Sequence, residues 1–576
     1  MKLIKKTKRR LLLASPVAAA LTATMFWALA QPAPQPLASL FPAGALLYLE
    51  AKDLGALLAD WNGSAEKRDW LSSANYEAFS RSTLFLKLGD AQSQFATAAG
   101  VPPDYALLSS IAGSNSAAAM YDIGKLEFLY IARIASARAM STSLWMTRGT
   151  YQTRHAGNSD YFIKEDKTLH RVAAFAYTGD SLLLATKEDL IAGALQLMAR
   201  DTVPSVASEP WFTDSVQAAG AGPIPNSQGD VRLVYNMARL AGAYQFRSHW
   251  VQANVPELRQ FSSGVADLER TRGEIRERRV LLRATPVEID GSNESATGQL
   301  LAAIPDDAGL YRAWLHPAAG QAEQFIEENL FPPSIATAAP RSKSAPMVAE
   351  TAEAGNEIDL ESRIDQRPIT DNRDAMKPLR DRLAAAKIDA MLDISSTSVD
   401  RDQVFVRPHF VIALLAGAPW DADAIRADLG SAAEGVWSNS ATATWRTGAN
   451  GVRELEGLGK LAMAADGKWL VIGDSAEMVN TVFARRNRAA VAGASYAAGW
   501  RHARELPNFE RMTKLIDFPQ MPVTASAEPI PGGEPPFFSG NIASLGRTLK
   551  RIDAATIVVH DTGAMLRESV VYRLNP

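Results

Sequence analysis

Arg171–Leu195 reads RVAAFAYTGDSLLLATKEDLIAGAL, and Lys460–Val482 reads KLAMAADGKWLVIGDSAEMVNTV. Each is an apolar run, a glycine-containing turn, a second apolar run and an amphipathic stretch. Gly179-Asp180 and Asp466-Gly467 are hairpin chemistry, because glycine takes positive φ without a Cβ clash. Lys187-Glu188-Asp189 and Ser475-Ala476-Glu477 put acids into the first turn of the amphipathic stretch, where the helix dipole favours them. Both segments therefore predict strand, tight turn, strand, helix.

Other pairs occur in the same order on either side. Pro42, Ala45, Leu47 and Tyr48 match Pro305, Ala308, Leu310 and Tyr311 in spacing. These lie in predicted strands at Phe41–Glu50 and Ile304–Trp314. Asp53 is placed to cap a short helix toward Trp61. Leu126–Ser136 matches Pro408–Gly417, both buried-type strands. Asn236–Leu240 corresponds to Asn541–Leu545. Arg279–Asn293 and Thr556–Tyr572 then read as hairpin-like strands. Agreement at several places in one order is the mark of internal duplication.

The expected fold is α+β: two tandem divergent repeats at 41–300 and 301–576, each a mostly antiparallel sheet with helices on one face. Ser334–Lys377, rich in Ala, Ser, Pro and charge without an apolar period, reads as an exposed or disordered insertion in the second repeat. Thr524–Pro536 reads as another such loop. Met376–Leu392 is expected to be helical, with Leu379, Leu383 and Ile388 on one side.

The N-terminus carries Lys2, Lys5, Lys6, Lys8, Arg9 and Arg10, followed by the charge-free run Leu11–Ala30. Such a run is long enough to span a bilayer, and the basic flank holds its start in the cytoplasm. Ala28-Leu29-Ala30 before the Pro-rich linker 31–40 also fits signal cleavage. The length of the run and Phe26-Trp27 favour an uncleaved anchor. Arg9-Arg10 is followed by three leucines, but Lys8 departs from the twin-arginine pattern. The expected location is the periplasmic side of the inner membrane, anchored, or soluble after cleavage behind Ala30.

Bulk composition agrees with a folded, exported protein. The 576 residues are 47% hydrophobic and 21% charged, with net charge −3, enough for more than one core and without the basic excess of a nucleic-acid binder. Cysteine is absent, which removes disulfides, zinc–thiolate sites and cysteine nucleophiles.

Phe41–Trp61 (FPAGALLYLEAKDLGALLADW), with Ile111-Ala112-Gly113 and Tyr121-Asp122-Ile123, resembles uncharacterised exported bacterial proteins grouped as domains of unknown function. The resemblance covers about the first hundred residues and, more faintly, the repeat at Pro305. It implies an envelope location and an α+β fold, and brings no activity, substrate or site.

No catalytic, cofactor-binding or metal-ligating residue emerges from motifs. His155, His170, His249, His316, His409, His502 and His560 show no helical pairing. His155 and His170 flank the predicted strand Tyr161–Glu165 and could face each other across a hairpin. G-x-S-x-G and phosphate-binding glycine loops are missing. Asp400 and Asp402, with Asp421, Asp423 and Asp428 nearby, lack the central glycine of a calcium loop, and Asp421 and Asp423 read as helix caps. Arg270, Arg272, Arg276, Arg278, Arg279 and Arg283, interleaved with Glu269, Glu274 and Glu277, read as a solvated helix laced by i,i+4 pairs. The twelve tryptophans are expected mainly in cores.

The functional expectation is a non-catalytic binding or scaffold module of the cell envelope. It needs no cofactor, touches the membrane through its N-terminal helix if uncleaved, and meets an unknown envelope protein partner rather than nucleic acid. The alternatives are an envelope hydrolase with a dispersed active site, and a carrier of lipid or another hydrophobic ligand.

Overall fold

The computed structural model describes residues 35–168, 170–220, 229–243, 258–289, 294–331, 373–399, 406–436, 444–456, 460–517 and 550–575. Residues 1–30, expected to target the membrane, nearly all of 334–377, expected to be an insertion, and the stretches Thr524–Pro536 and Asn541–Leu545 lie outside them. Among the described residues no helix is long and apolar enough to cross a membrane. The fold is α+β and its described strand pairs are antiparallel.

The described residues form two compact units, those within 1–48 and 93–213 and those within 49–92 and 214–576. Strand β1 (Leu47–Ala51) carries the chain across that division. Unit 1 holds β2 (Asn115–Asp122), β3 (Glu127–Arg133), β4 (Gln152–Ala156), β5 (Ser159–Asp166), β6 (Arg171–Thr178) and β7 (Ser181–Ala185). Their pairing gives the order β4-β5-β6-β7-β3-β2. Gly179 turns β6 into β7 at φ +59°, as its hairpin position requires. Every residue of β7 is buried, so it lies in the middle of the layers. The helix Glu188–Met198 comes next and buries Leu190, Ile191, Ala194, Leu195 and Leu197, spaced on one face. The core of this unit joins Leu107, Ile111, Leu144, Phe175, Leu182 and Leu184.

Unit 2 contains β8 (Val231–Tyr235), β9 (Phe261–Arg270), β10 (Glu274–Arg283), β11 (Leu310–Leu315), β12 (Ile388–Val399), β13 (Val406–Ala416) and β14 (Thr444–Thr447). It continues with β15 (Arg453–Glu456), β16 (Lys460–Asp466), β17 (Trp469–Gly473), β18 (Tyr496–Arg501), β19 (Ile552–Asp561) and β20 (Met565–Leu574). They form one antiparallel sheet in the order β8-β9-β10-β20-β19-β18-β11-β12-β13-β17-β16-β15-β14. The stretch β14-β15-β16-β17-β13-β12 has the same order as β4-β5-β6-β7-β3-β2 in unit 1. Gly467 makes the matching turn at φ +56°.

Helices on one face alone are not what unit 2 shows. Along β13, Ile412 and Leu414 enter one core, while Val411, Ala413 and Leu415 enter another. The first core is closed by the helices Gln321–Asn329, Arg373–Ala385 and Ala422–Val436, the second by Ser295–Ala302 and Ala476–Ala484. The cause is legible in Val411–Ala416, which is apolar at every position and so must be buried on both sides.

Three further expectations are corrected. The helix expected over Met376–Leu392 ends at Ala385, and Ile388 opens β12. The hairpin expected from Arg279 begins at Phe261, in β9. The arginine-rich stretch is part of that hairpin, not a helix. Arg276 meets Glu274 at 2.6 Å, and Arg279 meets Glu277 at 2.6 Å and Glu568 of β20 at 3.1 Å. These are i,i+2 and cross-strand partners, the neighbours a strand offers where a helix offers i,i+4. The Glu277 hydrogen bond above all holds the Arg279 pKa even higher than is usual for a guanidinium.

Candidate functional site: a polar cleft in unit 2

Alternation along β12 sends Ile394, Ser396 and Ser398 to one face. His409 of β13 lies directly opposite Ser396, with Ser398 two residues further along. The His409 ring therefore reaches both serines' side of the hairpin, and its Nε2 lies 2.9 Å from the Ser398 Oγ. Beyond β13 comes β17, whose last paired residue, Gly473, sits opposite Val411. Asp474 is next in the chain and extends the ladder by one step. Its amide donates to the Phe410 carbonyl at 3.1 Å, and its Oδ1 accepts from the Phe410 amide at 2.8 Å. The remaining Oδ2 lies 3.3 Å from the His409 Nδ1.

These contacts select a tautomer. A carboxylate only accepts, so Nδ1 carries the proton toward Asp474, and Nε2 is left to accept from the Ser398 hydroxyl, whose other acceptor is the more distant Arg407 carbonyl at 3.4 Å. Ser398, His409 and Asp474 thus form a hydroxyl–imidazole–carboxylate chain.

The chain opens on a cleft of about 160 Å³. Glu477, Met478 and Thr481 come from the helix Ala476–Ala484, and Ser475, also on the lining, caps it through the Met478 amide at 3.4 Å. Pro305, Asp307 and Ala308 close another side, with Ile394 on the floor. Arg504 completes the wall. Its Nε donates to the Ser396 Oγ at 2.8 Å, and its guanidinium lies 3.7 Å from Asp307. The helix His502–Asp517 is held in place by buried Glu505, which accepts from the Thr397 amide at 3.1 Å and its hydroxyl at 2.8 Å. A Cβ on Gly309 would fall 1.6 Å from the Glu505 Oε1, so this contact needs glycine there.

The residues weighed in the sequence are distributed differently. His155 and His170 do not meet. His155 pairs with Asp160 at one end of β5, while His170 lies past the other end. Asp421 caps the helix Ala422–Val436 by accepting from the Asp423 and Ala424 amides at 3.1 and 3.0 Å. Asp423 pairs with Arg453 and Asp428 with Arg382. Asp400, Asp402 and His249 lie outside the described residues. Among the described residues no group of three or more His, Asp or Glu could hold a metal ion.

Of the tryptophans, Trp469 is buried and Trp145, Trp314, Trp420 and Trp445 pack against cores. Trp61 and Trp70 stay exposed. Away from the cleft, burial pushes the Asp393 carboxyl up from its usual range against the opposing pull of Arg312, 2.7 Å away.

Motif reading missed Ser398, His409 and Asp474 because their spacing matches no linear signature. One signal was present. In Arg171–Leu195 and Lys460–Val482, the residue after the second apolar run is Thr186 in the first and, past Gly473, Asp474 in the second.

No family model and no curated protein matches the chain. It is similar in part to solved structures of TP0453. Crystal forms I, III and IV are 11%, 12% and 10% identical, with TM-scores of 0.23, 0.24 and 0.22. They cover 45%, 46% and 43% of this chain and 82%, 84% and 81% of their own.

Proposed function

We propose that this chain is a binding or scaffold module of the cell envelope, with its body on the periplasmic side of the inner membrane, and that the body arose by duplication of one α+β unit. The observation that carries the binding reading is the extent of the unit 2 sheet beside the size of its cleft. Thirteen strands of unit 2 form one antiparallel run, and along β10, β19 and β20, away from the helix-covered β13, most residues stay partly exposed and offer a long surface. The cleft, at about 160 Å³, is smaller than the roughly 300–1,000 Å³ of ordinary small-molecule pockets. Recognition by surface suits a macromolecular partner. The duplication is supported by the common order of β2–β7 and β12–β17, by the matching Gly179 and Gly467 turns, and by the helix after each final strand. The location rests on the basic flank and the apolar run Leu11–Ala30, and on the resemblance to exported proteins.

The test is in-cell crosslinking of the tagged full-length protein, purification from membranes and mass spectrometry. A reproducible envelope partner with crosslinks on the unit 2 sheet is the expected result. Recovery of the protein alone counts against the scaffold. Protease treatment of spheroplasts checks the location, because a periplasmic body is digested and a cytoplasmic one is spared.

A second reading, an envelope hydrolase with a dispersed site, is favoured by one specific observation: the Ser398–His409–Asp474 chain at the cleft.

A further inference from the structure

We infer that Ser398 is a nucleophile activated by His409, and that the cleft hydrolyses short-chain acyl esters. This rests on the hydrolase reading. Three observations carry it. The Ser398 Oγ lies 2.9 Å from an imidazole nitrogen whose other nitrogen faces a carboxylate. All three groups are only partly buried, so a substrate can reach them. Finally, Asp474 is more than the ladder needs. In unit 1 the equivalent amide, Phe128 N–H, is satisfied at 2.9 Å by the neutral hydroxyl of Thr186. A carboxylate at 474 does the same work with one oxygen and turns the other to His409.

These roles define the chemistry. The Ser398 Oγ attacks the ester carbonyl carbon while its proton passes to the His409 Nε2. Asp474 fixes the ring and stabilises the imidazolium, which makes it a positioning residue. The guanidinium of Arg504, steadied by Ser396, is the cationic donor for the developing oxyanion. Collapse breaks the ester C–O bond, and the departing alcohol takes the proton from His409. Water then gives a proton to His409, attacks acyl-Ser398 and releases the carboxylic acid, returning the proton to Ser398. One ester and one water yield one acid and one alcohol. The cleft has room for on the order of five waters, which limits the acyl group to a few carbons lying on Ile394 and Met478.

The test uses the full chain. It is treated with a small alkyl fluorophosphonate, the modified residue is mapped by mass spectrometry, and p-nitrophenyl acetate turnover is measured, with heat-denatured protein as control. The expected result is one label on Ser398 of the native protein only. Ser398→Ala should abolish label and turnover, and His409→Asn should slow both by about 10²-fold or more. Asp474→Thr, which keeps the ladder contact in the manner of Thr186, should lower kcat about tenfold or more with KM and melting temperature unchanged. Turnover and labelling that persist in Ser398→Ala overturn the assignment while leaving a hydrolase with its site elsewhere. Neither label nor turnover in the native protein overturns the assignment and the hydrolase reading together. Label mapping on the unmutated chain decides the matter even if a variant fails to fold.

Discussion

The six-strand frames β2–β7 and β12–β17 have one pairing order and close their last strand in different ways. In unit 1, β7 ends at Ala185, opposite Leu129, and Thr186 accepts from the Phe128 amide. The next position holds Lys187, which pairs with Glu127 at 3.3 Å. In unit 2, β17 ends at Gly473, opposite Val411, Asp474 takes the place of Thr186, and Ser475 that of Lys187. His409 stands where Glu127 stands. One frame therefore closes this corner with a hydroxyl and an ion pair. The other leaves an imidazole between an acid and a serine, open to a cleft. The backbone needs of the corner are met both ways, so the frame does not dictate the side chains, and their difference belongs to chemistry rather than to folding.

The equivalence of the two frames is open to test at several depths. Leu182 and Leu470 are both buried, on β7 and β17. Replacing either by alanine should cost about 2–5 kcal/mol in denaturant unfolding. Hydrogen exchange should show protection lost around β3 and β6 for Leu182→Ala, and around β13 and β16 for Leu470→Ala. Equal loss everywhere would mean that the two frames do not hold their own cores.

Gly473 is a finer probe. A Cβ there would lie 2.6 Å from the Phe410 carbonyl oxygen and 2.7 Å from the Val411 Cγ2. Gly473→Ala should cost about 1–3 kcal/mol. Its counterpart is already alanine, so Ala185→Gly should cost less, about 0.5–1 kcal/mol. A neutral Gly473→Ala would show that the two corners differ less than their backbones indicate.

Thr186→Ala and Asp474→Ala each strand a partly buried amide, so each should lose about 1–3 kcal/mol. Asp474→Thr should restore stability, and failure to do so would undo the equivalence of the two residues.

The smallest effect lies outside both frames. His502 is buried and neither ring nitrogen has a hydrogen-bond partner among the described residues. Burial first, and Lys550 second, push its pKa below the usual 6.5. A depressed pKa contributes stability that is present above about pH 6.5 and lost as pH falls through the lowered value. Melting temperature should therefore drop on acidification below pH 6.5, and His502→Phe should flatten that part of the curve.

Local elements under short-range control were legible in the chain alone. Gly179 and Gly467 mark hairpins because the tight turn between two apolar runs needs positive φ there, and Asp53, Asp421 and Ser475 mark helix starts because a side-chain oxygen three residues before a free amide caps it. The common order of strand, turn, strand and helix in Arg171–Leu195 and Lys460–Val482 was legible for the same reason. Partners, by contrast, were settled by the tertiary fold. Whether Arg276 finds Glu274 or a residue one helical turn away depends on its hairpin with β9, which charge spacing does not reveal. Whether Val411–Ala416 is covered on one face or two depends on helices far along the chain. Ser398 comes from β12, His409 from β13 and Asp474 from just past β17, and pairing across these strands is a non-local event that no linear spacing encodes. Periodicity reports what one residue owes its neighbours in sequence, and a site is made of what residues owe each other across a sheet.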